Sequence, residues 1–101
     1  MNLNRSPLMD ELVPSEFYLS QNYPNPFSDK TTIKFCVAYK EKVRLEVFNP
    51  EGKMIKILID EVKEAGTYEV IWNAVNFSCG AYFYKFIVKG LIATKEMVLL
   101  S

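Results

Sequence analysis

The sequence predicts an all-β domain, an antiparallel β-sandwich of about seven strands. Three observations lead to this fold class. Short runs with apolar residues at every second position recur from Phe17 onward, which is typical of strands with one buried face. Turn-forming residues such as Asn49-Pro50-Glu51-Gly52 separate the runs. No segment has the helical period of about 3.6 residues. Strands that each have one apolar face bury those faces by packing two sheets together.

Length and composition indicate one domain. The 101 residues are 50% apolar and 14% aromatic, which is enough for a single packed core. We expect residues 16–101 to form this domain and residues 1–15, which are polar and lack periodicity, to be a flexible lead or linker. Twelve basic and twelve acidic residues balance. The charge pattern therefore gives no global field that would recruit nucleic acid or an anionic membrane.

The apolar runs are too short for a transmembrane segment or a signal peptide. None approaches the roughly 18 residues of a membrane-spanning helix, and Arg5, Pro7, Asp10 and Glu11 interrupt residues 1–12. If the domain is exported, its signal peptide is expected upstream of Met1. The chain is therefore expected to be a fragment, with a free-standing small protein as the alternative.

Three strands are predicted before the turn at Gly52, over residues 17–19, 31–38 and 42–48. The alternation in the second and third of these runs assigns the following positions to the core: Ile33, Phe35, Val37, Val43, Leu45 and Val47.

The strands after this turn are less regular. Residues 54–59 are apolar at nearly every position, which predicts either burial on both faces or a bulge that shifts the alternation. Residues 60–65 are interpreted as a charged loop. The next strand begins at Gly66, and its core positions are Tyr68, Val70 and Trp72.

Residues 73–79 form a longer connection before Gly80. Lys85 marks the solvent face of the following strand, so the opposite face is expected in the core: Tyr82, Tyr84, Phe86 and Val88. A last strand over residues 92–100 follows Gly90, and the sequence leaves its inward face open. The glycines are expected to serve turns because turns need backbone freedom: Gly52, Gly66, Gly80 and Gly90. Trp72 and Tyr84 are expected at the centre of the core.

Cys36 and Cys79 are the only cysteines. Cys36 shares strand parity with Thr32 and Lys34, on the less buried face, and Cys79 lies in a turn region. Two free thiols are the favoured interpretation, and a disulfide is the alternative.

The residues needed for catalysis or for binding metals and cofactors are not present in a useful pattern. The chain has no histidine, which removes the commonest general base and metal ligand. No glycine-rich loop precedes a helix, so phosphate binding has no basis. Asp60, Glu61 and Glu64 are interpreted as a solvated loop rather than a weak calcium site. We expect no cofactor and no enzymatic activity.

The run Gln21-Asn22-Tyr23-Pro24-Asn25-Pro26-Phe27 has two prolines that force an extended, kinked path. With the blocks that follow, it closely resembles the C-terminal sorting domain (type A) of type IX secretion cargo proteins. That family is related to the immunoglobulin-like domain of flagellar hook-capping proteins, so the resemblance implies that the sandwich is immunoglobulin-like. The resemblance covers roughly residues 17–100. It rests, in order, on Phe17, Leu19, Gln21 to Phe27, Thr31, Ile33, Phe35, Val43, Leu45, Val47, Phe48, Asn49, Gly52, Ala65, Gly66, Tyr68, Val70, Trp72, Gly80, Tyr82, Phe83, Tyr84, Lys85, Thr94, Lys95, Met97, Val98 and Leu99.

The departures are small: Ser28-Asp29 replaces a commoner Asn-Pro, and Cys79 stands where serine usually precedes the glycine. The resemblance implies that the domain directs a passenger protein, fused on its N-terminal side, through the outer membrane of Bacteroidetes-type bacteria. It also implies that the outer-membrane secretion machinery recognises the folded domain. The passenger would then be secreted or held at the cell surface.

Candidate partner-binding residues follow from the motif and from the outward positions. Pro24, Pro26 and Phe27 are expected either to seal the sandwich or to contact a receptor. The other candidates lie on outward faces or on the last strand: Phe48, Phe83, Lys85 and Lys95. The last strand is expected to offer unpaired backbone groups to a partner sheet.

Two rival functions stay open at this point. Exposed aromatic rings such as Phe48 and Phe83 would suit a carbohydrate-binding or adhesive module of a cell-surface protein. Free sheet edges would suit a structural assembly module that associates with itself.

Overall fold

A computed structural model describes residues 16–100, so the lead predicted for residues 1–15 lies outside the described residues. The described residues form seven strands and no helix. Within them, no helix has the length and hydropathy needed to cross a membrane. The strands are β1 Tyr18–Leu19, β2 Lys30–Val37, β3 Glu41–Phe48, β4 Met54–Lys63, β5 Gly66–Asn73, β6 Gly80–Val88 and β7 Leu91–Leu99.

The strands form two antiparallel sheets, which confirms the predicted β-sandwich. One sheet has the order β1-β2-β5 and the other has the order β4-β3-β6-β7. The fourth strand pairs with β3 in the larger sheet. It therefore takes the position of strand C′ of immunoglobulin variable domains rather than that of strand D beside the fifth strand.

The core lies between the sheets and follows the predicted alternation. The inward positions predicted for β2, β3 and β6 are all buried. In β7, Met97 and Leu99 face the core, which assigns the inward face that the sequence left open.

Tyr82 adds a feature of immunoglobulin-like domains that the alternation does not reveal. Its hydroxyl donates a hydrogen bond of 2.7 Å to the carbonyl oxygen of Ser78, four residues upstream. This contact lies near the start of β6, at the connection from β5, where a tyrosine corner occurs in such sandwiches. It ties the connecting loop to the strand that follows.

A bulge explains the irregular apolar pattern of β4. The alternative prediction, burial of this strand on both faces, was wrong. The register between β3 and β4 shifts between Leu45 and Glu46 and again between Val47 and Phe48. Met54 and Ile57 are exposed. Since β4 is an edge strand, the shifts also disturb a regular edge that would otherwise pair with other chains.

The prediction of a charged loop over residues 60–65 was wrong for most of its length, because β4 continues to Lys63. The charged side chains are compatible with an exposed edge strand, and Asp60 meets opposite charges on β3. Asp60 accepts a hydrogen bond from Arg44 at 3.2 Å and lies 3.5 Å from the Lys42 ammonium.

Two tight turns use positive φ angles. In the turn after β3, the amide of Gly52 (φ 87°) donates to the carbonyl of Asn49 at 2.8 Å. Lys89 and Gly90 form a two-residue turn with φ angles of 50° and 82°, the combination typical of a type I′ hairpin. Gly66 and Gly80 are the first residues of β5 and β6.

Trp72 lies in the core and is 2% exposed. Its ring contacts those of Phe27, Phe77 and Tyr82, with centroid distances between 5.4 and 5.9 Å. Phe27 lies in the proline-containing run of residues 21–27, Phe77 in the connection between β5 and β6, and Tyr82 in β6. The indole therefore joins this run and this connection to both sheets.

We expect Trp72→Ala to lower the free energy of unfolding by about 3–5 kcal/mol, because it leaves a cavity among these rings. The neighbouring Ile71 is 62% exposed, so Ile71→Ala is the matched control and should cost less than about 1 kcal/mol. Urea titration followed by far-UV circular dichroism measures both. Equal losses in the two variants would contradict the placement of Trp72.

Candidate functional site

The proline-containing segment carries the chain from one sheet to the other. Tyr23 still pairs with β2, since it exchanges two hydrogen bonds of 2.9 Å with Thr32. Phe27 already belongs to the other sheet: its amide donates to the carbonyl of Val98 at 3.0 Å and its carbonyl accepts from the amide of Leu100 at 2.7 Å. This pairing with the end of β7 is parallel. We call residues 21–27 the strap.

The two buried polar side chains where the strap crosses between the sheets are hydrogen-bonded. Pro24 and Pro26 have no amide N–H, so neither needs an acceptor at the crossing; both X–Pro bonds are cis. Asn22 and Thr31 are buried. The side-chain nitrogen Nδ2 of Asn22 donates to the Thr31 hydroxyl at 2.9 Å. That hydroxyl donates to the Pro24 carbonyl oxygen at 2.8 Å.

The strap covers the free edge of the second half of β7. The Gln21 side chain donates to the carbonyl of Glu96 at 2.6 Å, and Asn25 Oδ1 accepts from the amide of Val98 at 2.8 Å. Together with the two bonds of Phe27, these contacts occupy the edge between Glu96 and Leu100. The expectation that the whole last strand offers unpaired backbone groups was therefore wrong for this half.

Phe27 is a core residue and is 2% exposed. Its ring packs edge-on against Trp72. It therefore seals the end of the sandwich and has no open face for a receptor, whereas Pro24 and Pro26 are exposed.

Tyr84 anchors the start of the strap to the core. Its hydroxyl donates to the carbonyl of Ser20 at 2.6 Å. Burial raises the pKa of Tyr84 to about 12, against an opposing effect of the hydrogen bond from the Asn22 backbone amide. The phenol therefore keeps its proton, and its donated bond, well into the alkaline range.

The first half of β7 has a free edge. Both backbone groups of Val98 point away from β6, towards the strap. In an antiparallel pair, the backbone N–H and C=O groups of every second residue point the same way. The backbone groups of Ile92 and Thr94 therefore also point away from β6. Among residues 16–100, no backbone group pairs with them on that side.

A groove of about 440 Å³ lies beside this free edge. One of its walls is β1, a strand of only two residues in the other sheet. Phe17 and apolar side chains from β1, β6 and β7 line it together with Lys95, among them Leu19, Phe86, Val88 and Leu91. Leu91 is 69% exposed and Ile92, on the adjacent outer face, is 59% exposed.

Phe48, Phe83 and Lys85 lie together on the outer face of the larger sheet. Phe48 and Phe83 are opposite each other in the pairing of β3 with β6, and both are half-buried. The Lys85 ammonium lies 4.6 Å from the centroid of the Phe48 ring, a cation–π distance. Because Lys85 occupies a face of this ring, the arrangement does not favour stacking of a sugar there.

The acidic residues of β4 and the following turn are paired with cations rather than gathered into a site. Glu61 lies 2.6 Å from the Lys63 ammonium and Glu64 lies 3.7 Å from the Lys40 ammonium. Within the described residues, no three carboxylate, thiol or imidazole groups come together to hold a metal. Both cysteines have free thiols.

The fold and its surface define a class of protein: a small immunoglobulin-like sandwich whose distinctive features are a strapped terminal strand, a half-free edge and an open groove. The sequence matches the family described as secretion system C-terminal sorting domain over residues 21–99. The chain therefore belongs to this family, and it is a C-terminal sorting signal for type IX secretion. No curated protein matches the chain.

The first prediction for the site concerns the strap. Asn25→Ala removes the acceptor of the Val98 amide, so we expect hydrogen exchange at Val98 to accelerate and the free energy of unfolding to fall by about 0.5–1.5 kcal/mol. Asn25→Asp keeps an acceptor and is the matched control. Unchanged exchange at Val98 in Asn25→Ala would contradict the bond.

The second prediction concerns Tyr84. The unfolded chain loses the phenol proton near pH 10, whereas the folded state keeps it to about pH 12. The stabilising contribution of this group is thus complete below about pH 10 and is lost as pH rises towards about 12. We expect Tyr84→Phe to lose stability less steeply than the unmodified chain over this range, as measured by urea titration at each pH. Equal slopes would contradict the placement of the phenol.

Proposed function

We propose that the domain acts as a non-catalytic sorting signal that the type IX outer-membrane machinery recognises in its folded form. The passenger is fused on the N-terminal side and ends up secreted or at the cell surface. The single observation that carries this proposal is the family match over residues 21–99. The relation to hook-capping domains stays a prediction.

Recognition of a folded signal is supported by where the motif residues lie. Phe27, Trp72 and Tyr82 are buried, and the Trp72 ring contacts both of the other rings. A receptor that reads the domain from outside cannot touch these rings, so their part in sorting is to maintain the fold. The contact surface must then come from exposed groups and strand edges.

We propose the free half of β7 and the adjacent groove as that contact surface. A strand of a partner protein can pair with Ile92 and Thr94 and place a side chain over Leu91, as in recognition by β-strand addition. Lys95 at the groove adds a positive charge for the partner. Pro24, Pro26, Phe48, Phe83 and Lys85 remain candidates for secondary contacts.

Deletion of residues 93–101 is a poor test of this proposal. It removes Met97 and Leu99 from the core, so the domain would unfold whatever its recognition surface. Point substitutions on the free edge separate folding from recognition.

We expect Thr94→Pro to reduce secretion of an inert passenger fused to the full chain in a type IX-competent host. The substitution removes an N–H that points away from β6, and proline is tolerated on edge strands. Thr94→Val keeps the N–H and is the matched control. Secretion is measured as the fraction of passenger outside the cells, with folding checked by circular dichroism. Undiminished export of the folded Thr94→Pro fusion would exclude the edge as the recognition surface.

The same assay tests recognition of the folded state. The destabilised Trp72→Ala fusion should stay inside the cells, while Ile71→Ala should be exported. Normal export of an unfolded Trp72→Ala domain would show that the machinery reads a linear signal.

A further inference from the structure

The free half of β7 is complementary to itself. Ile92 and Thr94 flank Ala93, and their backbone groups point outward from the same edge. We infer that this segment pairs antiparallel with the same segment of a second copy of the chain, with a two-fold axis at Ala93. The inference goes beyond the proposed function and does not depend on it.

The pairing follows from the direction of the backbone groups. With the axis at Ala93, Ile92 of each copy lies opposite Thr94 of the other. Each such pair exchanges both N–H···O=C bonds, because opposing residues that point towards each other form hydrogen-bonded pairs. A two-fold axis makes the contact isologous, so it closes as a dimer and does not propagate.

Only this register uses both free residues of both copies. An axis at Thr94 would place Ile92 opposite Glu96, whose carbonyl already accepts from the Gln21 side chain. An axis at Ile92 would place Thr94 opposite Gly90, which lies in the hairpin turn. The strap and the turn therefore limit the self-complementary edge at its two ends.

The side chains agree with this register. Ala93 meets itself at the axis, where a small residue allows close approach. Leu91, which is 69% exposed, comes opposite Lys95, and Ile92, which is 59% exposed, comes opposite Thr94. Glu96 comes opposite Gly90, next to Lys89. No two like charges lie directly opposite each other in this register.

Two apolar side chains with large exposed fractions would thus be covered in the dimer. The larger sheets of the two copies would join edge to edge through β7. The dimer and a secretion partner would use the same edge, so the two contacts exclude each other.

Sedimentation velocity of the full chain tests the association. We expect the mean mass to rise from one chain towards two between about 10 μM and about 1 mM. Thr94→Pro removes an inter-copy donor from each chain, so it should raise the dissociation constant at least about tenfold. Thr94→Val should associate like the unmodified chain. A mass of one chain at all concentrations would overturn the inference.

Cysteine crosslinking tests the register and does not depend on the folding of a proline variant. In a Cys36→Ser, Cys79→Ser background, Ala93→Cys should form a disulfide-linked dimer on mild oxidation. Directly opposite residues of a non-hydrogen-bonded pair have Cα atoms about 4.5 Å apart, which suits a disulfide. Ile92→Cys is the control, because the two substituted residues are then not opposite each other. Crosslinking of Ala93→Cys no better than Ile92→Cys would overturn the inference. Both readouts measure association of the chain with itself. A negative result would therefore leave the proposal about secretion unaffected, because that proposal is tested by export of the passenger.

Discussion

The hydrogen bonds that join Phe27 to the end of β7 are the contacts on which the rest of the structure depends. They bind the first segment of the domain to its last strand. They also hold the Phe27 ring against Trp72, where the aromatic core closes. Since Phe27 and Leu99 are far apart in sequence, the sandwich is complete only when both ends of the domain are in place.

The same strap divides the surface of β7 into two parts. Beyond Glu96, the strap satisfies the backbone groups and the edge is closed to other chains. Before it, Ile92 and Thr94 keep their pairing capacity beside a groove. At the opposite edge of this sheet, β4 has shifted register and charged side chains, which discourage pairing. Within the larger sheet, the capacity for strand addition is therefore concentrated in one short segment.

Much of the fold was predictable because alternation is a local property. The inward positions of β2, β3 and β6 could be read directly from the sequence, and Gly66 and Gly80 marked the strand starts. The extent of β4 was not predictable from composition alone, because charged residues suit both a loop and an exposed edge strand. The closed half of β7 was missed for a different reason: its partners, Gln21 and Asn25, come from a distant segment, and no sequence pattern shows which backbone atoms they reach. The Tyr82 to Ser78 contact had a weak signal, since a tyrosine near the start of the sixth strand is typical of immunoglobulin-like sandwiches.

The path of the chain into β1 has a consequence for any larger protein that contains this domain. Glu16 and Phe17 lie beside Leu91 and Lys89, whereas Leu100 lies next to Phe27 at the other end of the sandwich. Whatever is joined upstream is thus attached where the open segment of β7 begins. A bulky domain joined through a short linker would sterically hinder access to that segment, and a longer linker would leave the segment accessible. We therefore expect the length of the linker to affect how readily the segment can be reached.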